Sequence, residues 1–588
     1  MKKIFTILAS VSVLSSVCSS AQTFNPRVEV TNAFEGKVVE ASKQVLPLNV
    51  PDSLMKFQYQ IDYSVFDNPY KGSYEFQPYK ITMKPDAAPS GYRSLYASIG
   101  CGYSLHPELD LVYSPRFKKY PVRLSLYDNF RGFIGDYSHL GMLQDGLILE
   151  VGKKADRPNK GFVLDNKAGA DVVYEFAGMT LEFDGGYRVF ATDDTLSCHF
   201  LQLAEAKVKL MPLDPNHADI FYGGSLYVNA GKDDYSALVS GRHKLGVNNM
   251  GADASFGKNV GARSAVVADL SIETVVYSGV HEASVTRFGI APKFRTSWKS
   301  GLASLGINLS DLKGNDHPLD GSDFTAFSHA SEILYPDVHV KQYIVPEHLA
   351  FYADVTGGDN VNCYTSMLRD NPFFNPKMVV PFMDSSSDRM DAVAGFQTDI
   401  AGKLHVDLSG GYAIHLNKRC DAVQILENTD YITGDVARYL TSFNQYCDYN
   451  SIHGDMSFIW KSSRVDVDGH FRYEKTDLAD NGWFAVAPSE YSGRVSAAYN
   501  WNHKAYAGII VEAASERNGY MSIGQDPDNF YMVSIPGWID LGLYGSYRIN
   551  NRWTAWLKAG NLLGQSVHRY FLHPEKGPYA TVGISFSI

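Results

Sequence analysis

The last ten residues read Tyr579-Ala580-Thr581-Val582-Gly583-Ile584-Ser585-Phe586-Ser587-Ile588, and they alternate without error. Tyr579, Thr581, Gly583, Ser585 and Ser587 fall on one face, and Ala580, Val582, Ile584, Phe586 and Ile588 on the other. A period of two places successive side chains on opposite faces of a strand, so one face is wet and the other apolar. An apolar face carried through Phe586 and Ile588 suits a strand that closes a barrel in lipid, where no edge can be left unpaired.

The pattern recurs upstream. Leu404, Val406, Leu408, Gly410, Tyr412, Ile414 and Leu416 are expected to face lipid, with His405, Asp407, Ser409, Gly411, Ala413, His415 and Asn417 facing inward. Val266, Ala268, Leu270, Ile272, Thr274 and Val276 alternate with Val267, Asp269, Ser271, Glu273 and Val275. Around Ala177 and Gly178, the apolar set Val172, Tyr174, Phe176, Met179, Leu181 and Phe183 opposes Glu175, Glu182 and Asp184. A helical period would scatter these charges. The fold class is therefore all-β, a large antiparallel transmembrane barrel. From about Tyr74 onward roughly two dozen candidate strands of about ten to fifteen residues can be marked, and about 20–24 survive an allowance for boundary error. Tight turns at Ala401 to Lys403 and Asn550 to Arg552 are assigned to the periplasmic side. The longer stretches Phe133 to Asp145, Lys313 to Ser331, Val361 to Ser387, Cys420 to Tyr449 and Ser515 to Pro536 are expected as outward loops without strand period.

The first residues set the compartment. Lys2 and Lys3 precede an apolar run from Ile4 to Val17, and Ser19 and Ala21 suit leader cleavage after Ala21. Residues 1–21 are thus expected as a signal peptide, 22–71 as an N-terminal extension in the periplasm or the lumen, and 72–588 as the outer-membrane barrel. Loss of the leader leaves 51 basic against 64 acidic residues, a net charge of −13, which argues against a nucleic-acid surface. Nothing else approaches the roughly 18 apolar residues of a spanning helix. The cysteines beyond the leader, Cys101, Cys198, Cys363, Cys420 and Cys447, show neither a disulfide framework nor metal-ligand spacing, although Cys420 and Cys447 could bridge one loop.

Chemistry is sparse. The sequence carries no His-Glu-x-x-His pair, Gly-x-Ser-x-Gly elbow, phosphate-cradling loop or clustered Cys and His ligands, so no enzyme activity and no cofactor is expected. Asp384, Asp388 and Asp391 share a serine-rich loop, and Asp526 and Asp528 lie beside Asn529. Such carboxylates can hold a cation or simply keep a loop solvated. Asp384, Asp388, Asp526 and Asp528 are the candidate ligand-binding residues, expected at loop tips that tolerate replacement. Asp466 and Asp468 are expected in the lumen, as are His339, His405, His415 and His470, without a shared metal spacing. Trp538, Trp553 and Trp556 are expected to anchor the membrane interface.

The segment Lys558-Ala559-Gly560-Asn561-Leu562-Leu563-Gly564, followed by Tyr570 and the closing strand, resembles the C-terminal end of TonB-dependent receptors, with Leu563 in place of the usual Phe. Tyr335-Pro336-Asp337-Val338, Leu349 to Gly358 and Asn371-Pro372-Phe373 are similar to a subgroup of such barrels. The resemblance implies 22 strands in the outer membrane and transport or uptake of a solute. It also implies a plug far longer than the residues between Gln22 and the first expected strand, so a plugless variant is expected whose lumen is filled by residues 22–71, by inward-folded loops or by a partner. Arg27 to Thr31 is the one candidate energy-coupling segment, leaving TonB coupling open. The expected partners are outer-membrane lipids and a lipoprotein or periplasmic protein. The alternative function is a structural or assembly subunit of an outer-membrane complex, and a third is a secreted adhesin.

Overall fold

The computed structural model describes residues from Arg93 onward, apart from 138–147, 151–158, 213–219, 318–328, 375–383, 430–435, 480–484, 523–529 and shorter gaps in other loops. The expected signal peptide, the 22–71 extension with Arg27 to Thr31, and the strand start near Tyr74 lie outside the described residues. Twenty-two antiparallel strands close a barrel. They begin with Leu95–Tyr103, Glu108–Tyr113 and Val122–Tyr137, and end with Trp538–Arg548, Trp553–Gly560 and Tyr579–Ser587. Each pairs with the next, and the ring shuts where Leu95–Tyr103 pairs with Tyr579–Ser587, from Tyr96 opposite Ser587 to Tyr103 opposite Ala580.

One end of the barrel carries the short turns. Ala401 and Gly402 turn there with φ of 55° and 63°, the Gly402 amide donating to Asp399 Oδ1 at 2.9 Å. Asn550 Oδ1 accepts from the amides of Arg552 and Trp553. Leu95 and Ile588 exchange backbone hydrogen bonds at this same end. The described residues that flank all five long stretches named above lie at the opposite end.

The two faces follow the sequence period. On the closing strand Val582 and Ile584 are exposed at 59% and 39%, whereas Thr581 and Ser585 are buried. Val266, Leu270 and Ile272 face out and Val267 and Val275 face in; Tyr174, Phe176 and Phe183 are exposed. The exposed face is the apolar one on strand after strand, the inverse of a water-soluble protein and the signature of lipid contact.

Trp556 departs from expectation. It points inward, almost wholly buried, and its indole donates to Ser98 Oγ at 2.9 Å. Its ring lies flat across the closure seam, where a Cβ on Gly100 or Gly583 would approach it within 2.2 or 2.1 Å. Only glycine leaves that space open. We expect Gly583→Val to cost about 1–3 kcal/mol through overpacking at the seam, read as a lower temperature for loss of the compact, fast-migrating form on a gel. An unchanged transition would show that the indole is not wedged there.

The expected loop from Cys420 to Tyr449 is also corrected. Strands Leu404–Thr429 and Val436–Lys461 pair from Leu404 opposite Trp460 to Thr429 opposite Val436, a ribbon that rises past its neighbours. Asn417, at φ 51°, sits in a bulge between His415 and Lys418. A bulge inserts one residue and shifts side-chain parity, which is why the upper half shows no continuous period.

Candidate functional site

Between strands Leu349–Asn360 and Ser386–Ile400, the segment 361–374 carries the helix Tyr364–Asp370. The helix has no side-chain N-cap, and it stops before Asn371-Pro372 because a residue preceding proline is pushed out of helical conformation. Tyr364, Met367, Leu368, Phe373 and Phe374 are each at most 1% exposed. They pack on Phe190, Leu201, Tyr235, Leu245, Val247, Val275, Tyr277 and Val285, residues of the inner wall far round the barrel from the segment's own roots. The segment therefore folds into the outer mouth and crosses it.

Polar contacts hold the segment from two sides. On one wall Thr192 Oγ1 donates to the Pro372 carbonyl at 3.0 Å, and the Tyr364 amide donates to Tyr277 Oη at 3.0 Å. On the other, Asn371 Nδ2 donates to Ser442 Oγ at 2.8 Å, and Arg419 pairs with Asp370. Both of these last partners belong to the ribbon.

At the centre lies a buried trio. His199 Nδ1 is 2.8 Å from Asp233 Oδ2, and His199 Nε2 is 2.9 Å from the Phe374 carbonyl. Asp233 also accepts from the Tyr364 hydroxyl at 2.6 Å and from the Phe200 amide at 2.9 Å. Both ring nitrogens of His199 are thus engaged, one by the wall and one by the segment. Burial, with the Asp233 charge beside it, holds the Tyr364 hydroxyl well above the ordinary phenol range, so it stays a donor. The trio joins a buried His–Asp contact in the wall to one side chain and one carbonyl of the segment. It is a latch.

The residues chosen from sequence fall at the root of this segment. Asp384 is fully buried and accepts from Asn417 Nδ2 and the Ser385 amide, each at 2.8 Å. Asp388 lies within strand Ser386–Ile400 and accepts from His415 Nδ1 at 2.6 Å, Lys418 Nζ at 2.9 Å and Asn360 Nδ2 at 2.9 Å. Neither is a solvated loop tip, because both brace the junction of segment, strand and ribbon. Asp384→Ala should therefore cost about 1–3 kcal/mol by taking an acceptor from the buried Ser385 amide and from the half-buried Asn417 side chain, measured as a lower midpoint of denaturant unfolding; an unshifted midpoint would restore the loop-tip reading. Asp526 and Asp528 lie outside the described residues.

Elsewhere the inward side chains pair with one another. His339 sits between Asp354 and Asp337 at 2.8 and 2.9 Å, and Lys293 bridges Asp337 and Asp269 at 2.7 and 3.1 Å. His470 lies 3.5 Å from Asp455, and His405 3.4 Å from Gln397. Cys420 and Cys447 are free thiols with sulfurs 3.4 Å apart. His199, Asp233 and Tyr364 were not singled out in the sequence. The one signal was compositional: Tyr364, Met367, Leu368, Phe373 and Phe374 are too apolar for a stretch read as a polar loop.

No family model and no curated protein matches the sequence. Solved structures do match the fold. The copper transporter OprC superimposes with a TM-score of 0.59 at 12% identity, over 85% of this chain and 82% of its own. The FrpB iron transporter of Neisseria meningitidis gives 0.61 at 10% identity, over 85% and 82%. The pyoverdine outer membrane receptor FpvA of Pseudomonas aeruginosa gives 0.59 at 9% identity, over 85% and 79%.

Proposed function

We propose that this chain, a 22-stranded barrel with the fold of TonB-dependent receptors, takes up a solute across the outer membrane through a lumen whose outer mouth is gated by its own segment 361–374. The observation that carries the reading is the seating of that segment, with five apolar side chains buried on the inner wall and the His199–Asp233–Tyr364 latch beneath. Small barrels fill with side chains, but a barrel of this strand number encloses a channel unless something occupies it. An occupant held by its own root can also withdraw, which is what a gate requires. The outer-membrane neighbours, transporters and receptors by name, support uptake as the class of activity. Asp384 and Asp388 contribute by setting where the segment enters; Asp526 and Asp528 are proposed to meet ligand. No bond is made or broken in this reading. Surrounding lipids and a lipoprotein or periplasmic partner complete it, and residues 27–31 are the segment through which energy coupling would run.

The test replaces 363–374 with a Gly-Ser linker of equal length in the full chain and measures osmotic swelling of proteoliposomes with neutral sugars of increasing size. Faster swelling than the parent is expected. Equal swelling would overturn the gate. A docking role in an outer-membrane assembly is the competing reading, favoured by the tall ribbon that outreaches its neighbours; a protein recovered in constant stoichiometry from native membranes would support it.

A further inference from the structure

The ribbon that holds the lumen segment also holds the two thiols. Cys420 and Cys447 lie on its opposite strands, Cys420 across from Gln445 and Cys447 across from Lys418, diagonal neighbours just above the Asn417 bulge. Their sulfurs are 3.4 Å apart and buried with Tyr449 and Ala485. A sulfur–sulfur bond is about 2.05 Å long, so closure needs an approach of only about 1.3 Å. The remaining described cysteines differ: Cys101 is exposed on the outer face, and Cys198 and Cys363 are half-buried. Each partner of the thiols sits next to a hold on the segment. Arg419, which pairs with Asp370, adjoins Cys420, and Ser442, which receives Asn371, lies three residues before Gln445 on the strand of Cys447.

We propose that Cys420 and Cys447 form a disulfide in the exported protein, and that this bond locks the ribbon where it grips segment 361–374. Outer-membrane proteins cross an oxidising compartment in which thiol pairs close and persist. One thiolate attacks the disulfide of a periplasmic dithiol oxidoreductase while the ribbon is forming, giving a mixed disulfide. The second thiolate then displaces the oxidant's sulfur. The product is one intramolecular bond; the oxidant, reduced by two electrons, leaves as a dithiol carrying the two protons. The bond ties the two strands at a point where the bulge has interrupted the ladder. Without it the ribbon can shear at the bulge and release Asp370 and Asn371 together. The locking role rests on the gate reading, whereas the bond itself does not.

The experiment uses the full chain purified from outer membranes with a maleimide present throughout. After denaturation without reductant, Cys101, Cys198 and Cys363 are expected to carry the label, and non-reduced tryptic digests to contain peptides 420–438 and 439–461 joined. Label on all five would overturn the proposal. The folded protein is then treated with trypsin before and after reduction by a phosphine, and cleavage after the exposed Arg369 is timed. Reduction should speed that cleavage about fivefold or more, since disulfides generally constrain such openings. Cys420→Ser should cleave at the reduced rate while keeping heat-modifiable migration. Joined peptides with an unchanged cleavage rate would overturn the lock. None of these readouts measures flux, so failure of solute uptake is scored separately.

Discussion

Asp233→Asn should open the mouth of the barrel while leaving the barrel itself closed. The substitution removes the charge that faces His199 but keeps the size of the side chain. It sets an amide in place of the buried carboxylate that His199 Nδ1 and the Tyr364 hydroxyl both meet, and a buried donor left without its acceptor costs about 1–3 kcal/mol. The lumen segment contributes the Phe374 carbonyl and the Tyr364 hydroxyl to this cluster, so its withdrawal relieves the cost by admitting water. Strand pairing is kept: Asp233 lies opposite Leu201 and Leu245, and the asparagine oxygen can still accept from the Phe200 amide that Asp233 Oδ1 holds at 2.9 Å. We expect larger single-channel conductance and faster tryptic cleavage after Arg369, with heat-modifiable migration retained. His199→Gln in the same chain removes the ring that faced the carboxylate and should return part of the effect, so the two substitutions should be far from additive. Wild-type conductance and cleavage in Asp233→Asn would dismiss the trio as a latch.

The second large effect is expected on the opposite face. Leu408 is 52% exposed and lies between Phe396 and Met456 on the neighbouring strands, which are exposed at 48% and 39%. It stands four residues above Leu404, where the strand leaves its tight turn. With about 3.4 Å per residue and a tilt near 40°, that height approaches the middle of an apolar band about 25 Å tall. Leu408→Arg should cost about 2–4 kcal/mol there, read from denaturant unfolding in lipid vesicles. Ser409→Arg, one residue on and inward, serves as the comparison and should be tolerated. A neutral Leu408→Arg beside a damaging Ser409→Arg would place the strand one residue out of register, since a slip of one exchanges the two faces.

These two predictions draw on different depths of the chain. The face that Leu408 occupies was legible in the sequence, as were the faces of Val266, Leu270, Tyr174 and Val582. Lipid and water are met residue by residue along a strand, so each position records its own surroundings with a period of two. The tight turns at Ala401 and Asn550 were legible for a similar reason, being set by the conformations of a few adjacent residues. Trp556 was misread because indoles suit both an interface and a cross-strand packing site. What decided between them was the pair Gly100 and Gly583, more than 480 residues apart in sequence and brought side by side only when the ring closes.

The seating of segment 361–374 belongs wholly to that second category. Tyr364 lies 131 residues from Asp233 and 165 from His199, and no local pattern announces that a loop will turn into the mouth rather than away from it. Asp384 and Asp388 were noticed for their charge, yet burial and the partners Asn417, His415 and Lys418 decide their role. The bulge at Asn417 hid the ribbon by reversing the parity on which strand recognition depends. By itself the sequence determined an all-β chain with one apolar and one polar face to each strand, because that requirement acts locally. Tertiary structure alone decided what fills the outer mouth and how it is held there, because those contacts join residues that only a closed barrel brings together.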